Sequence, residues 1–211
     1  IHVFNSPGTF SVSCAGNSAG SNKVDYLVVA GGGGGGNTNA AGGGAGGYRE
    51  SVPSPAAWTS SPIASPGGGL TVTSTSFPIV VGAGGTAGTP SPTAGGAGSD
   101  SSFSTITSAG GGGGCNTKPG NRCGGSGAGG PHGVVGGPPA IPTVGSGNTP
   151  PVSPSQGNPG GTGIDNKAGP AGSKRGGSGG GATAIGGSQS GTNTVNPAAE
   201  RAGGAGATSC I

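Results

Sequence analysis

Charged side chains are nearly absent from this chain of 211 residues: Asp, Glu, Lys and Arg together make up 6% of it. Large apolar residues are also scarce, whereas Gly contributes 57 residues and Pro 19. So few core-forming residues usually indicate disorder, but disordered chains also carry a high net charge. The formal net charge here is only +3, so the composition excludes an ordinary globular domain without being typical of a charged, disordered chain.

Aromatic residues are missing from the second half of the chain. Residues 104–211 contain none of them, and their aliphatic residues are scattered. A conventional hydrophobic core cannot be built from such a segment. We therefore expect backbone hydrogen bonds to hold the second half together. The aromatic residues, all in the first half, are Phe4, Phe10, Tyr26, Tyr48, Trp58, Phe77 and Phe103.

Signals for membrane insertion, nucleic-acid binding and export are lacking. No apolar run approaches the roughly 18 residues of a membrane span. The basic excess after residue 105 is dispersed rather than arranged in a dense stripe, which argues against a nucleic-acid partner. The chain shows neither an initiator Met nor a signal-peptide pattern, so we expect a processed product or a fragment of a longer protein.

Motifs for catalysis and cofactor binding are also lacking. The glycines 31–36 follow the apolar segment 24–30 as in a dinucleotide-binding turn, but the sequence after them cannot begin the required helix. No arrangement of a nucleophile and a base can be proposed, and the acidic Asp25 and Glu50 are explained by ion pairing or solvation. We predict a protein that is not an enzyme and that binds no cofactor or metal.

Four cysteines form an even set, which suggests two disulfides and an oxidising, extracellular location. Three pairings are possible. Cys115 and Cys123 flank a turn-forming insert and could pair locally, which would leave Cys14 to pair with Cys210. Zinc binding is a weaker alternative, because no C-x-x-C motif occurs.

Alternating apolar and polar residues predict several strands in the first third of the chain. Residues 1–4 and 9–12 read as a hairpin, and residues 24–30 as a strand buried on both faces. Residues 70–73 and 78–81 read as a second pair, and residues 103–107 as a further strand. No segment shows a capped helical period, so we predict almost no α-helix.

Glycine tracts follow and separate these strands, and several have Gly at every third position. A polyproline-II or polyglycine-II helix has three residues per turn and no internal hydrogen bonds, so its buried backbone groups must bond to neighbouring chains. Gly on the contact side allows that close approach, and many such tracts would form a sandwich. A flexible Gly-rich linker is the alternative, whereas collagen is excluded because no G-X-Y period is sustained. The registers are Gly82, Gly85 and Gly88; Gly157, Gly160 and Gly163; and the packing glycines Gly124, Gly127, Gly130, Gly133 and Gly136.

These patterns divide the chain into a β-rich region with the first glycine tracts, residues 1–108, and a bundle of glycine-rich helices, residues 109–211. Within the longest register, Gly130 is expected not to tolerate a side chain, whereas Gly147, in the Pro-rich segment 138–154, should tolerate one. Trp58 either packs against the β-rich region or stacks on sugar rings. The candidates for contacts with a partner surface are Trp58, Lys118 and Arg122.

The order and spacing of several blocks in residues 1–115 resemble the glycine-rich domain of phage tail-fibre and receptor-binding proteins. The blocks include IHVFNSPGTF at residue 1, VDYLVVAGGGGGG at residue 24 and PIVVGAGG at residue 78. The resemblance implies a small β region that leads into a polyglycine-II sandwich, with loops at the distal end contacting the host surface. The cysteines and the lack of aromatic-rich distal loops depart from that family and leave open a secreted cellular protein.

Two functions are consistent with these features. The first is a virion adhesin or tail-fibre module that binds a host-surface glycan or protein. The alternative is a subunit of an extracellular filament or surface layer, which assembles with copies of itself through glycine-rich helices. An ice-binding protein is a third and weaker alternative.

Overall fold

The computed structural model describes residues 1–17, 19–38, 40–90, 94–115, 121–132, 144–166, 173–189 and 202–210. Over these residues the chain forms short strands and extended segments and no helix, so the predicted, mostly non-α architecture is confirmed. It follows that none of the described segments is a helix long and apolar enough to cross a membrane.

The strands are short and gather in four small sheets, ordered β1-β7-β8-β9, β3-β4-β5, β2-β6 and β10-β11. All pairings are antiparallel except that between β4 and β5. The strands are β1 (Gly8–Ser11), β2 (Lys23–Val24), β3 (Leu27–Val29), β4 (Tyr48–Val52), β5 (Ser65–Pro66), β6 (Leu70–Thr71), β7 (Ser76–Val80), β8 (Ser101–Phe103), β9 (Ile106–Ser108), β10 (Ile164–Asn166) and β11 (Ser173–Arg175).

The four-stranded sheet carries the aromatic cluster of the chain. Phe10 of β1 lies edge-to-face with Phe103 of β8, with ring centroids 5.8 Å apart, and Phe77 of β7 lies 6.0 Å from Phe103. The predicted hairpin is wrong, because β1 pairs with β7 while residues 1–4 form no strand. His2 lies instead against the ring of Phe10, at 5.4 Å.

The other predicted strands exist in altered form. The segment 24–30 is split between β2 and β3, and the predicted burial of both faces is wrong, since Leu27 is 40% and Val29 50% exposed. β6 pairs with β2 and β7 pairs with β1 and β8, so the predicted pairing of residues 70–73 with 78–81 is also wrong. The apolar alternation reports which residues are strand-like but not which strand each one meets.

Residues 103–107, predicted as one strand, span the turn of the β8–β9 hairpin, with Phe103 in β8 and Ile106 in β9. Ser104 adopts a left-handed backbone with φ of 53°, which reverses the chain so that Phe103 pairs with Ile106. Such a conformation is uncommon for a residue with a side chain and cannot be recognised from an apolar pattern.

Extended glycine-rich tracts make up most of the remaining described chain. Their backbone hydrogen bonds run between tracts rather than within one. We label these tracts t1 (30–36), t2 (41–47), t3 (82–88), t4 (95–99), t5 (109–115), t6 (124–130), t7 (144–148), t8 (157–163), t9 (176–181), t10 (184–189) and t11 (202–206).

The partners of a tract change with a period of three residues. In t1, the N–H groups of Ala30, Gly33 and Gly36 donate to t2. Those of Gly31 and Gly34 donate to t4. The carbonyls of t1 accept with the same period from t5 and t3. This repeat matches the three-residue turn of an extended polyproline-II-type helix, which directs successive peptide groups about 120° apart.

These hydrogen bonds order the tracts into two stacked rows. One row runs t3, t1, t2, t9, t11, and the other runs t4, t5, t6, t8, t10, with t7 bonded to the outer side of t6 and t8. Tract t2 bonds to t1 and t9 in its own row and to t5 and t6 in the other. Hydrogen bonds therefore cross the predicted boundary between residues 108 and 109, and tracts from both regions pack in one array.

Glycine is required in this array because the tracts touch backbone to backbone. A Cβ on Gly124 would overlap the carbonyl oxygen of Gly110, and one on Gly127 would overlap that of Gly145. Gly130 differs from these two, because a Cβ there would lie 3.2 Å from the backbone N of Gly163 and meet nothing closer. Gly133 and Gly136 lie outside the described residues.

Candidate functional site

The array has two distinct ends. The strands β3, β4, β7, β8 and β9 lead directly into or out of t1–t5, so one end adjoins the sheets; we call it the sheet end. Tracts t3, t6, t8 and t10 run parallel to t1 and t5, and the other tracts run back, so the opposite end can be traced from the hydrogen bonds. We call it the loop end. The chain leaves the array there after residues 36, 88, 115, 130, 163 and 189, and it re-enters at residues 41, 95, 121, 144, 176 and 202 respectively.

Most charged residues of the second half fall in the sequence segments between tract ends of the loop end. Seven of the eight lie in the sequence between tract ends at that side, and five of the seven are basic. The sheet end has instead Asp25, Glu50 and Asp100 with Lys23 and Arg49. The seven residues are Lys118, Asp165, Lys167, Lys174, Arg175, Glu200 and Arg201.

The predicted surface residues have different outcomes. Arg122, predicted to contact a partner, is buried, with 6% of its surface exposed, because the chain at 121–123 packs against t5 and t6. That prediction is therefore wrong. Lys118 lies outside the described residues. Arg175, which the sequence did not single out, ends β11 at the loop end and is half-buried.

Trp58 is half-buried at the sheet end and belongs to a cluster around a buried carboxylate. Its indole N–H donates to Glu50 Oε1 at 3.3 Å. Glu50 is 1% exposed, so the prediction that pairing with Arg49 or solvation accounts for it is wrong: Arg49 alternates to the opposite face of β4, where it donates to the Thr107 carbonyl at 3.5 Å.

Four donors from three parts of the chain satisfy Glu50. Tyr48 donates at 2.9 Å and the Ser61 backbone N–H at 3.0 Å to Oε2, while Ser209 donates at 2.6 Å to Oε1 beside Trp58. Burial acts to raise the pKa of the Glu50 carboxyl, but hydrogen bonds from Ser209, Ser61 and Tyr48 outweigh it and hold the pKa below its usual value. Burial, and then the bond to Glu50, raise the pKa of Tyr48. The carboxylate thus joins β4, the following loop and the C-terminal segment.

Trp58 also lines an apolar groove at the sheet end, with a volume of about 700 Å³. The groove lies between β3 and the four-stranded sheet, and its lining includes Phe10 and Phe103. Exposed apolar side chains border it, with Ile1 101% and Val3 73% exposed. Trp58 therefore takes a position between the two predicted ones: it is half-buried, bonds to Glu50 and lines the groove.

No disulfide joins the four cysteines in the structure. Cys115 is buried at the end of t5, whereas Cys123 is exposed, so the two thiols of the predicted local pair face different environments. Cys14 precedes Ala15, whose backbone N–H donates to Ser74 Oγ, and Cys210 bonds through its backbone N–H to Thr59 beside the β3-β4-β5 sheet. Both predicted bridges are therefore absent from this structure.

Gln156 is a buried organiser of the sheet end that the sequence did not reveal. It is 1% exposed, its Oε1 accepts from the Ala109 N–H at 2.8 Å, and its Nε2 donates to the Pro150 carbonyl at 2.9 Å. Its own carbonyl accepts from Tyr48 N–H at 2.9 Å. A single Gln in a Gly/Pro/Ser segment gives no periodic signal by which this role could be predicted.

Within the described residues, no group of three or more His, Cys, Asp or Glu side chains is placed to hold a metal ion. In the part of the chain that the structure describes, the molecule is thus free of helix, and glycine tracts form a hydrogen-bonded array on a small β region. The chain belongs to the family of glycine-rich domains, whose family model matches residues 5–210. No curated protein and no solved structure matches it significantly.

Proposed function

We propose that this chain is a non-enzymatic structural and adhesive module of an extracellular or virion surface, in which a rigid glycine-rich array presents loops, as in a phage tail-fibre or receptor-binding protein. The observation that carries the proposal is that seven of the eight charged residues of the second half fall in the sequence between tract ends of the loop end. Polar and charged loops on a rigid scaffold are the usual carriers of binding function.

The rigidity of the scaffold follows from its hydrogen bonds. We assign the tracts to polyglycine-II helices, supported by the three-residue period of their partners and by the lack of space for a Cβ at most of their glycines. Each interior tract is bonded to at least three neighbours. Such an array cannot bend without leaving buried donors unpaired, so it holds its loops in fixed relative positions.

The expected partner is a host-surface glycan or protein. The basic excess in the loop-end connections favours a partner with acidic groups, since clefts and surfaces of one charge attract the other. Residues 1–115 resemble tail-fibre receptor-binding proteins, in which loops at the distal end contact the host. This resemblance also favours the loop end as the contact region.

The test is a loop-replacement experiment. Residues 190–201 are replaced by a Gly/Ser segment of equal length, and as a matched control the exposed residues 54–57 of the sheet end are replaced in the same way. Binding of labelled protein to a panel of bacterial cells and to a glycan array is then measured. We expect the first replacement to abolish binding and the second to preserve it. Binding that survives the first replacement and is lost in the second would contradict the proposal.

The alternative of a self-assembling filament has one supporting observation. Gly32 and Gly35 of t1 are exposed on the outer face of their row, with no described atom within 3.7 Å of an added Cβ on Gly32 and none within 4 Å on Gly35. Glycine tracts of a second copy could approach closely there. Light scattering and electron microscopy over a range of protein concentrations test this function: filaments would favour it, and a monomer at every concentration would exclude it.

A further inference from the structure

A second cavity, of about 460 Å³, lies near the loop end of the array, on the row that contains t2, t9 and t11. Its volume is within the range of small-molecule and saccharide pockets. Glycine backbone forms most of its wall, and Arg175 is the charged residue of the lining. No acidic residue is among the described residues that line it.

The period of three directs unpaired backbone N–H groups to this side of the row. In t2, the N–H groups of Ala41, Gly44 and Gly47 donate to t5, and those of Gly42 and Ala45 donate to t9. The third set, Gly43 and Gly46, donates to no described residue. Since t1, t5, t6 and t9 already surround the other sides of t2, this set faces the side without a neighbouring tract.

Tract t9 repeats the arrangement across the cavity. Gly177 and Gly180 donate to t6, and Ser178 and Gly181 donate to t10, whereas Gly176 and Gly179 donate to no described residue. The set recurs every three residues, about 9.3 Å along the tract. Of these two sets, Gly43, Gly176 and Gly179 line the cavity, whereas Gly46 is buried and does not.

A side chain at Gly42 would contact one of these donors. A Cβ on Gly42 would lie 3.1 Å from the backbone N of Gly179, within the cavity that both residues line. A larger residue at Gly42 would therefore crowd the Gly179 nitrogen, which lies in the buried wall of the cavity.

Backbone N–H groups in a concave arrangement together with a guanidinium are the donors that bind oxyanions. The guanidinium of Arg175 offers a planar fork that fits a carboxylate or sulfate. We propose that this cavity, between t2 and t9 with Arg175 at its loop end, binds the oxyanion groups of an acidic polysaccharide. The inference rests on the proposed adhesive function and names its ligand class.

The probes are three hexasaccharides of equal length: one sulfated, one with carboxylates only and one neutral. Binding to the full chain is measured by isothermal titration calorimetry at 50 and 500 mM NaCl. We expect both acidic probes to bind, the neutral probe not to bind, and high salt to weaken binding because it screens the charges. The stronger of the two acidic probes identifies the oxyanion.

Three variants locate the site. Arg175→Gln removes the guanidinium and should weaken binding about tenfold or more, the contribution of a charge-assisted hydrogen bond. Gly42→Ala should weaken it by screening Gly179 N, and Arg49→Gln, which changes a half-buried arginine at the sheet end, should leave it unchanged. Melting curves show whether each variant is folded. If a variant does not fold, the salt dependence of binding by the parent protein tests whether charge interactions hold the acidic probes.

Equal affinity for the neutral probe, or unchanged binding by Arg175→Gln, would overturn the inference. Failure of the adhesive function is separable from this outcome. Acidic probes that bind at Arg175 while cells are not bound would retain the site and reject the function. Cell binding that depends on residues 190–201, combined with unchanged affinity of Arg175→Gln for the acidic probes, would retain the adhesive function and reject the oxyanion site.

Discussion

The hydroxyl of Ser209 donates a 2.6 Å hydrogen bond to the buried carboxylate of Glu50, 159 residues earlier in the chain. The neighbouring Cys210 N–H donates to the Thr59 carbonyl at 3.0 Å. Tract t11 forms one edge of the array, so this contact ties the last described segment back to β4 at the sheet end. Glu50 therefore joins the C-terminal segment to the sheet end.

The free energy of unfolding should decrease at acidic pH because Glu50 becomes protonated. Its pKa is lowered in the folded state, so the stabilisation from its ionised form is fully present above the unfolded value, about 4.3, and is lost as pH falls through the lower folded value. Protonation would place an O–H among donors and weaken the contact with Ser209. Urea denaturation between pH 7 and 3 measures this loss.

The matched variant is Glu50→Gln, in which an NH₂ group replaces an oxygen that accepts hydrogen bonds. We expect it to cost about 2 kcal/mol or more at pH 7, since hydrogen bonds to a charged group contribute about 1.5–3 kcal/mol. The free energy of unfolding of this variant should also depend less on pH between pH 7 and 3 than that of the parent. A variant with the same pH profile as the parent would show that other carboxyls control acid stability.

Two glycines of one tract, two residues apart, test the packed array. A Cβ on Gly33 would overlap the Gly112 carbonyl oxygen, whereas a Cβ on Gly35 meets no atom within 4 Å. Gly33→Ala should therefore destabilise by about 2 kcal/mol or more, as expected for a strained backbone contact. Gly35→Ala should be neutral or stabilise by up to about 1 kcal/mol, because it restricts the unfolded chain. Equal melting temperatures for both variants would be incompatible with backbone-to-backbone packing.

The sequence predicts the tracts better than it predicts their neighbours. Gly82, Gly85 and Gly88 were expected on the contact side of a tract, and they are half-buried, whereas Ala83 and Thr86 between them are exposed. That pattern is visible because only one residue in three must lack a side chain. Which tract meets which is not encoded locally, since every tract offers the same peptide groups.

The errors at the candidate site have a similar origin. Arg122 and Glu50 are charged residues in a nearly uncharged chain, and charge alone predicts exposure. Their burial depends on partners brought together by the array: Glu50 is satisfied by Ser209 and Ser61, which are separated from it by 159 and 11 residues. No spacing rule links such residues before the fold is known.

Thiol reactivity should distinguish the four cysteines. Cys14, Cys123 and Cys210 are exposed and should react quickly with a thiol reagent in the native protein, whereas the buried Cys115 should react only on unfolding. Timed labelling with mass spectrometry measures this order. Labelling of the protein purified without reductant serves as the control, and failure of all four to react even when unfolded would establish the disulfides predicted from the sequence.

The last prediction concerns Gly130 and Gly147, whose expected tolerance is reversed by the structure. Gly147 is part of t7, which packs against t6 and t8, and a Cβ on it would overlap the carbonyl carbon of Asn158. A Cβ on Gly130 would lie 3.2 Å from Gly163 N and 3.5 Å from both the Gly161 carbonyl oxygen and Val144 Cγ1.

Gly147→Ala should therefore destabilise the protein by about 2 kcal/mol or more, because the overlapping atoms are backbone and cannot rotate away. Gly130→Ala should cost less than about 1 kcal/mol, since a shift of a few tenths of an ångström relieves its contacts. Gly127→Ala, which overlaps the Gly145 carbonyl oxygen within the same register as Gly130, serves as the positive control. Chemical denaturation of the three variants and the parent measures the order. If Gly147→Ala were silent while Gly130→Ala unfolded the protein, residues 144–148 would be a surface loop, as the proline content of the segment suggests, and t7 would not belong to the array.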